Sequence, residues 1–393
     1  MHTILVINCG SSSIKFAVIN CDNEQTLISG LAERLGSNQA TITYKVNGEK
    51  HQLTPDGHDH TAAMQAILQA ITQAGLLHNL IGVGHRVVHG GEHFSDSQVL
   101  DNSALQTLKQ LNHLAPLHNP VNILGIEAAM RLLPNLPQVA VFDTAFHQSI
   151  AQKAFLYGVP FSYYSEHAVR RYGFHGTSYR YVTARAAQLL EKPATDCCFL
   201  AAHLGNGCSA SAIVNGKSVD SSMGMTPIEG LIMGTRCGDI DPGLHAYLCE
   251  RLHISLEQLM SVLNKQSGLL GLSGVSNDMR EIKAAANAGN AQAKIALEVF
   301  AFRIARYLGA LAVSLPRIDG LIFTGGIGEN DADLRASVVN QLGILGFKLD
   351  AKLNQQAGDA SGRITLPGST LAMVVATNEE LMIAKDTARL IKE

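Results

Sequence analysis

Unclaimed backbone N–H groups in a tight turn are the simplest device for holding phosphate, and this chain places four polar turns, three of them glycine-rich, directly after apolar runs. They are NCGSSSIKF at 8–16, HLGNGCSAS at 203–211, FTGGIGEN at 323–330 and TNEE at 377–380. The chemistry they predict is the handling of a nucleotide. Two familiar nucleotide motifs are excluded. GNGCSA fits the dinucleotide spacing, but a helix must follow there and the segment continues instead as an alternating strand into Asn215-Gly216. No G-x-x-x-x-G-K-[ST] segment occurs, so a Walker loop does not hold the phosphates.

Histidine is the second signal. His85, His89 and His93 recur every four residues, the spacing of a metal-binding helix face, but Gly90-Gly91 breaks a helix and Arg86-Val87-Val88 reads as strand. A zinc site is therefore disfavoured. The alternative is that Arg86 and one or two of the histidines reach into a cleft as anion ligands, although an isolated arginine is more often solvated or structural.

The elements that must position these groups alternate between strand and helix. ILVIN (4–8) and IKFAVI (14–19) flank Gly10-Ser11-Ser12-Ser13 as strand, turn, strand, with Lys15 just past the turn. CFLAAHL (198–204) and ASAIV (210–214) repeat that plan around Gly205-Asn206-Gly207, and the likeness of the two is too short to distinguish a true internal repeat from shared composition. Further expectations are a hairpin at 41–53 turning at Asn47-Gly48, a helix at 60–77, a buried strand at 139–146, a long helical region at 279–315 capped by Asn277-Asp278 and broken near 287–290, and a strand at 318–326 followed by a GIGEN turn. This order predicts an α/β protein with mixed sheets.

A chain of 393 residues exceeds one ordinary core, so two domains are expected, divided near 148–152. With 46% hydrophobic and 16% charged residues the composition is that of a globular protein, and a net charge of −3 argues against a general nucleic-acid or membrane surface. The partners should be small molecules. Seven cysteines, with no C-x-x-C pair and no leader-like segment before Asn8, predict a cytoplasmic protein without disulfides. No window approaches the roughly 18 apolar residues of a membrane span.

Taken in order, NCGSSSIK (8–15), HRVVHGG (85–91), APLHNP (115–120), VFDTAFH (141–147), RRYGFHGTS (170–178), HLGNG (203–207), MGTRCGDID (233–241) and FTGGIGEN (323–330) resemble the motifs of the acetate kinase family over nearly the whole chain. The resemblance implies the duplicated ATPase fold shared with actin, sugar kinases and the 70-kilodalton chaperones, with nucleotide bound between two lobes. It implies an N-terminal lobe at 1–149, a C-terminal lobe at 150–380 carrying the nucleotide site and the interface of a homodimer, and a last helix at about 381–393 returning to the first lobe. The implied reaction is reversible phosphoryl transfer from ATP to acetate, giving ADP and acetyl phosphate, with Mg2+ as cofactor and Mn2+ as a substitute.

Site residues follow from the same resemblance. Arg86 would hold the carboxylate in a bidentate fork, Arg236 would bind the phosphoryl group in flight, and His175 would donate to its equatorial oxygens. Lys15, Ser11 and Ser13 belong to the phosphate turn, while Asn8 and Glu379 look like residues of the metal shell. His203, Leu204, Gly205, Asn206 and Gly207, then Asp278, Met279 and Arg280, then Gly326, Ile327, Gly328, Glu329 and Asn330 match the nucleotide-binding segments. Asp143 matches the family's proton donor or acceptor. A carboxylic acid is already ionised near pH 7, which favours instead a role in orienting Arg86 or the magnesium shell.

Val88, with Leu117, Phe174 and Pro227, would line the pocket for the alkyl end. Valine at that place points to acetate over propionate, one methylene being worth about 1–3 kcal/mol. Cys208 and Cys237 depart from the small residues usual in the family and raise the expectation of thiol sensitivity, against the plainer one of two inert side chains. The competing readings are a propionate kinase, which differs in pocket size, and a non-catalytic actin-like nucleotide switch, which would lack the combination of Arg86, Asp143, His175 and Arg236.

Overall fold

The structure is a computed structural model describing residues 2–392. Its chain forms two compact units. One runs to Gln148 and resumes at Asn378; the other comprises Ser149–Thr377.

The first unit holds β1 (Thr3–Gly10), β2 (Ser13–Asn20), β3 (Gln25–Glu33), β4 (Thr41–Val46), β5 (Glu49–Leu53), β6 (Leu80–Val87), β7 (Gln98–Val99) and β8 (Gln138–Phe142), in the order β5-β4-β3-β2-β1-β6-β8-β7. Strands β1 to β5 run antiparallel by hairpins, whereas β1, β6 and β8 are parallel neighbours. Alternation divides the side chains between two faces. Leu5, Ile7, Ile14, Phe16 and Val18 join the core under helix His60–Gln73. The alternate positions Ile4, Val6, Ala17 and Ile19 are buried as well, and the last helix, Glu379–Lys392, packs on β1, β2, β6, β7 and β8. A strand covered on both faces reads as an almost unbroken apolar run, as β1 does.

The second unit builds β9 (Cys198–Leu204), β10 (Cys208–Val214), β11 (Lys217–Ser221), β12 (Gly320–Thr324) and β13 (Ala372–Val374) in the order β11-β10-β9-β12-β13. Here β9, β10 and β11 form an antiparallel meander and β9, β12 and β13 are parallel. Helix Ala291–Leu311 packs on β9 and β10, and its Phe300, Ile304 and Leu308 are buried. The order β3-β2-β1-β6-β8 of the first unit has the same senses, so the repeat that the two glycine turns left undecided is a repeat of topology.

The structure corrects several boundaries. The first helix stops at Gln73, because Gly75 takes a φ of 72° and turns the chain. The buried strand ends at Phe142, and Ala145–Ser149 is a 3-10 turn. The later strand is confined to Gly320–Thr324, and GGIGEN is helical (Gly325–Asn330) rather than a turn. TNEE is likewise a helix start: Asn378 Oδ1 accepts from Leu381 N at 3.0 Å, so the last helix begins near 379 rather than 381. Position 393, where that helix was expected to end, lies outside the described residues. Among the described residues no helix is long and apolar enough to cross a membrane.

Candidate active site

In the first unit the charged groups gather at the carboxyl ends of three adjacent parallel strands, where open α/β sheets bind ligands. Asn8 stands near the end of β1, Arg86 near the end of β6, and Asp143 immediately after β8. The Asp143 backbone N donates to Val87 O at 2.9 Å, which fixes the carboxylate beside the arginine. Arg86 Nε and Nη2 donate to the two oxygens of Asp143 at 3.2 and 2.6 Å, and Nη1 donates to Asn8 Oδ1 at 3.3 Å. Asp143 is buried at 2% exposure and its charge raises the Arg86 pKa further, against the opposing effect of burial. The fork expected for a substrate carboxylate is therefore engaged by Asp143, and Nη1 also holds Asn8, so for an anion each terminal nitrogen offers its second N–H.

Glu379 opens the last helix beside this group. Burial first, then the charges of Asp143 and Glu380, raise its pKa to about 7 against the pull of Arg86 and Lys15. Lys15 forms an ion pair with Glu380, which sequence reasoning had not singled out. Ser11 is exposed and Ser13 half-buried at the β1–β2 turn.

Among the described residues no three His, Cys, Asp or Glu side chains form a cage for a metal. The donors that the first unit does offer are all oxygens: Glu379, with Asn8 and Asp143 already engaged by Arg86. That set suits Mg2+, which takes one or two carboxylates and keeps water and phosphate for its other positions. His85, by contrast, is bonded through Nε2 to Gln138 Oε1 at 2.8 Å, and burial lowers its pKa to about 4.

Two asparagines that the sequence reading missed stitch this end together. Asn122 Oδ1 accepts from Val88 N at 3.1 Å while its Nδ2 donates to Cys9 O at 2.8 Å, and Asn119 bonds both the N and O of His89. Val88 is thereby buried in a fixed place, whereas Leu117 is 63% exposed. The signal was available in APLHNP and the residues after it: two polar residues near the start of an apolar helix are placed to bond nearby backbone.

In the second unit His175 has a φ of 58° and stands at the N-cap position of helix Gly176–Leu189, a left-handed backbone that turns the chain into the helix. Its ring stacks on His203 at 4.2 Å, and its Nδ1 lies 2.9 Å from Ser209 Oγ, which also bonds the Tyr179 hydroxyl at 2.6 Å. His203 in turn meets Ser178 Oγ at 2.8 Å, so both imidazoles are held by side chains outside the predicted set. Arg236 Nη1 donates to Pro227 O, and Phe174 is buried. A Cβ on Gly207 would lie 2.9 Å from Arg236 Nη2 and 3.4 Å from His175 Nε2, so the glycine is what lets the turn approach both groups.

Beside this turn is a cleft of about 810 Å³ lined by Gly205, Asn206, Asp278, Met279, Arg280, Gly326, Ile327 and Asn330, joined by Asn277, Lys283, Ala284, Asn287 and Asp331. Asp278 caps the helix that forms one wall, accepting from Arg280 N at 2.8 Å. Leu204 is buried, Gly328 packs toward Phe323, and Glu329 turns inward to accept from Gly325 N and Thr377 N at 3.0 Å each. These three, expected at the nucleotide, are part of the cleft's frame.

For the two cysteines the geometry favours the plainer expectation of inert side chains. Cys208 is fully buried, its Sγ donates to Gly205 O, and burial pushes its pKa up to about 12; burial also raises that of Cys237. Neither thiol has the electropositive, exposed setting of a reactive cysteine.

A family model described as the acetokinase family matches residues 3–385. The chain belongs to that family. It is 54% identical over 390 residues to the acetate kinase of Chromobacterium violaceum, covering 99% of this chain and 98% of the other. It is 55% identical over 393 residues to that of Ectopseudomonas mendocina, covering 99% of each. Among solved structures, a propionate kinase from Francisella tularensis superposes with a TM-score of 0.95 at 42% identity, over 99% of this chain and all of that one. Porphyromonas gingivalis acetate kinase superposes with a TM-score of 0.94 at 41% identity over the full length of both. The α/β fold with two mixed sheets is thus the acetokinase fold, and the motifs that suggested it are the segments that form both clusters described above.

Proposed function

We propose that this acetokinase-family protein is an acetate kinase, transferring the γ-phosphoryl group of ATP reversibly to acetate. An acetate oxygen forms the new P–O bond, and the bond to the β-phosphate oxygen breaks with its electron pair, releasing ADP. Both reactants are anions, so the barrier is dominated by gathering negative charge, and positioned cations are the catalytic need. The observation that carries the reading is Arg86 locked on buried Asp143 at the carboxyl ends of the parallel strands, since this presents a fixed cation whose remaining N–H donors suit a carboxylate or phosphoryl group.

Arg236 and His175, converging on Gly207, would stabilise the transferring group, and the 810 Å³ cleft would hold the nucleoside. Asp143 is then an orienting group. Mg2+, bound by Glu379 with Asn8 and Asp143 nearby, would neutralise phosphate charge. Buried Val88 supports acetate as the preferred acid. The 42% identity to a propionate kinase favours propionate as the second reading.

We place the enzyme in the cytoplasm as a homodimer formed through the second unit. Helix Gly243–Leu252 supports this, for it has no buried residue and exposes Tyr247 and Leu252 at 61% and 58%. The test is ADP release and hydroxylamine-trapped acyl phosphate with acetate, propionate, butyrate or no acid. Highest kcat/KM with acetate is expected; acid-independent ATP turnover, or none, would move the protein to the nucleotide-switch class.

A further inference from the structure

The loop from Ser221 to Asp239 carries Arg236 and the carbonyl it bonds, and a polar network outside the predicted site holds that loop. Arg171 Nη1 donates to the carbonyls of Ser221, Ser222 and Met223 at 2.7, 3.0 and 3.2 Å, and Nη2 donates to Glu229 Oε1 at 2.6 Å. The other carboxylate oxygen accepts from the Tyr157 hydroxyl, which itself accepts from Met225 N at 2.9 Å. A Cβ on Gly224 would fall 1.6 Å from Glu229 Oε2 and 2.1 Å from Tyr157 Oη, so the chain folds directly over this carboxylate. Asp239 closes the far end. It bonds Gly230 N at 2.8 Å, donates from its own N to Gly230 O at 3.0 Å, and accepts from Tyr307.

Pro227 lies two residues before Glu229, inside the segment clamped at both ends, and its carbonyl accepts from Arg236 Nη1. We infer that Glu229 is a positioning residue: by tying Arg171 and Tyr157 to the loop it fixes the Pro227 carbonyl, and through that carbonyl the placement of the Arg236 guanidinium. The inference rests on the acyl-kinase reading for its kinetic consequence, though not for its geometry. It predicts that the carboxylate matters to the phosphoryl-transfer step without touching nucleotide, acid or metal.

The experiment compares Glu229→Gln, Tyr157→Phe, Arg236→Ala and the Glu229→Gln/Arg236→Ala double variant in the full-length enzyme. Glu229→Gln should lower kcat by roughly 10- to 100-fold, the cost of misplacing a catalytic group by about an ångström, with KM for ATP and the Kd for ADP unchanged. Tyr157→Phe, which keeps the Arg171 ion pair, should give a smaller loss in the same parameter. In the Arg236→Ala background the Gln substitution should cost little more, because its route of action has been removed. Additive losses, or a loss confined to KM, would overturn the inference.

A second readout does not depend on turnover: the rate at which phenylglyoxal labels Arg236, followed by peptide mass spectrometry, should rise in Glu229→Gln. Unchanged labelling with unchanged kcat would refute the positioning role. Wild-type protein that makes no acyl phosphate, yet shows the labelling change, would sink the kinase reading and leave the positioning role standing. A Glu229→Gln protein that has lost its folding transition would leave Tyr157→Phe to decide by the same two readouts.

Discussion

The two units build the same order of five strands, three antiparallel and then two parallel, but they fill the turn after the first strand differently. In the first unit Gly10 to Ser13 leads to Lys15, which is paired with Glu380, and the nearby arginine is locked onto the buried carboxylate of Asp143. In the second unit Gly205 to Gly207 leaves room above itself for Arg236 and His175, and Arg236 leans on a backbone carbonyl. One topology thus places an arginine near each turn: in the first unit one paired with a buried carboxylate, in the second one bonded to a loop carbonyl. The shared strand order sets where chemistry occurs, and the side chains around each turn set how stiffly it is held.

The sharpest way to break this comparison is to remove each arginine. Both Arg86→Ala and Arg236→Ala should lower kcat by about 10³-fold or more, the scale of a phosphoryl-stabilising arginine. Arg86→Ala leaves Asp143 buried without that partner and should cost about 3 kcal/mol in urea melts. A loss under about 1 kcal/mol would mean that the pair contributes little to holding the first unit together.

The carboxylates of the first unit sharpen the contrast by pH. Glu379 has a folded pKa of about 7 against an ordinary 4.5, so its contribution to stability is most favourable below 4.5 and is lost as pH rises through 7. Glu379→Gln should accordingly raise Tm at pH 8 without Mg2+ and leave it unchanged at pH 4. If Glu379 binds Mg2+ as proposed, a proton competes with the cation, and apparent Mg2+ affinity in a kinetic titration should fall by up to about tenfold per pH unit below 7. A flat Mg2+ dependence between pH 8 and 6 would remove Glu379 from the metal shell.

Much of this was legible because the motifs are local. The hairpin at Asn47-Gly48, the two strand-turn-strand copies and the Asp278 cap are each decided by a few adjacent residues. What was misread depends on distant partners. GGIGEN looks like a turn, yet Glu329 reaches Thr377 N, and Arg335 donates to the carbonyls of Gly328 and Glu329, which together hold a glycine-rich segment as helix. The Glu229 network escaped for the same reason, since Arg171, Tyr157 and Tyr307 lie far apart in sequence. Asn378 is the exception: an N-cap residue followed by Glu379 and Glu380 is a local helix-start signal, two residues ahead of the expected start.

A smaller effect concerns the acid itself. Val88 belongs to the first unit, is buried, and donates its backbone N–H to Asn122 Oδ1; on the proposed reading its methyl groups close the alkyl end of the acid site. Val88→Ala should raise the kcat/KM ratio of propionate to acetate by about tenfold, the value of a methylene or two in an apolar pocket. An unchanged ratio would show that the alkyl end is not read by this wall.

The smallest effect is expected where the two turns agree. Cys9 precedes the first turn and Cys208 follows the second, and burial raises both thiols to about 12. At pH 8 about one molecule in 10⁴ would carry the thiolate at either place, so iodoacetamide should label both slowly and activity should persist. Cys208→Ala should keep kcat within about twofold, because the side chain is a small apolar filler with one weak bond to Gly205 O. Rapid labelling of Cys208 in folded enzyme, suppressed by ADP, would mean that the second turn opens while the first stays closed, and Arg236 would then sit beside a mobile turn.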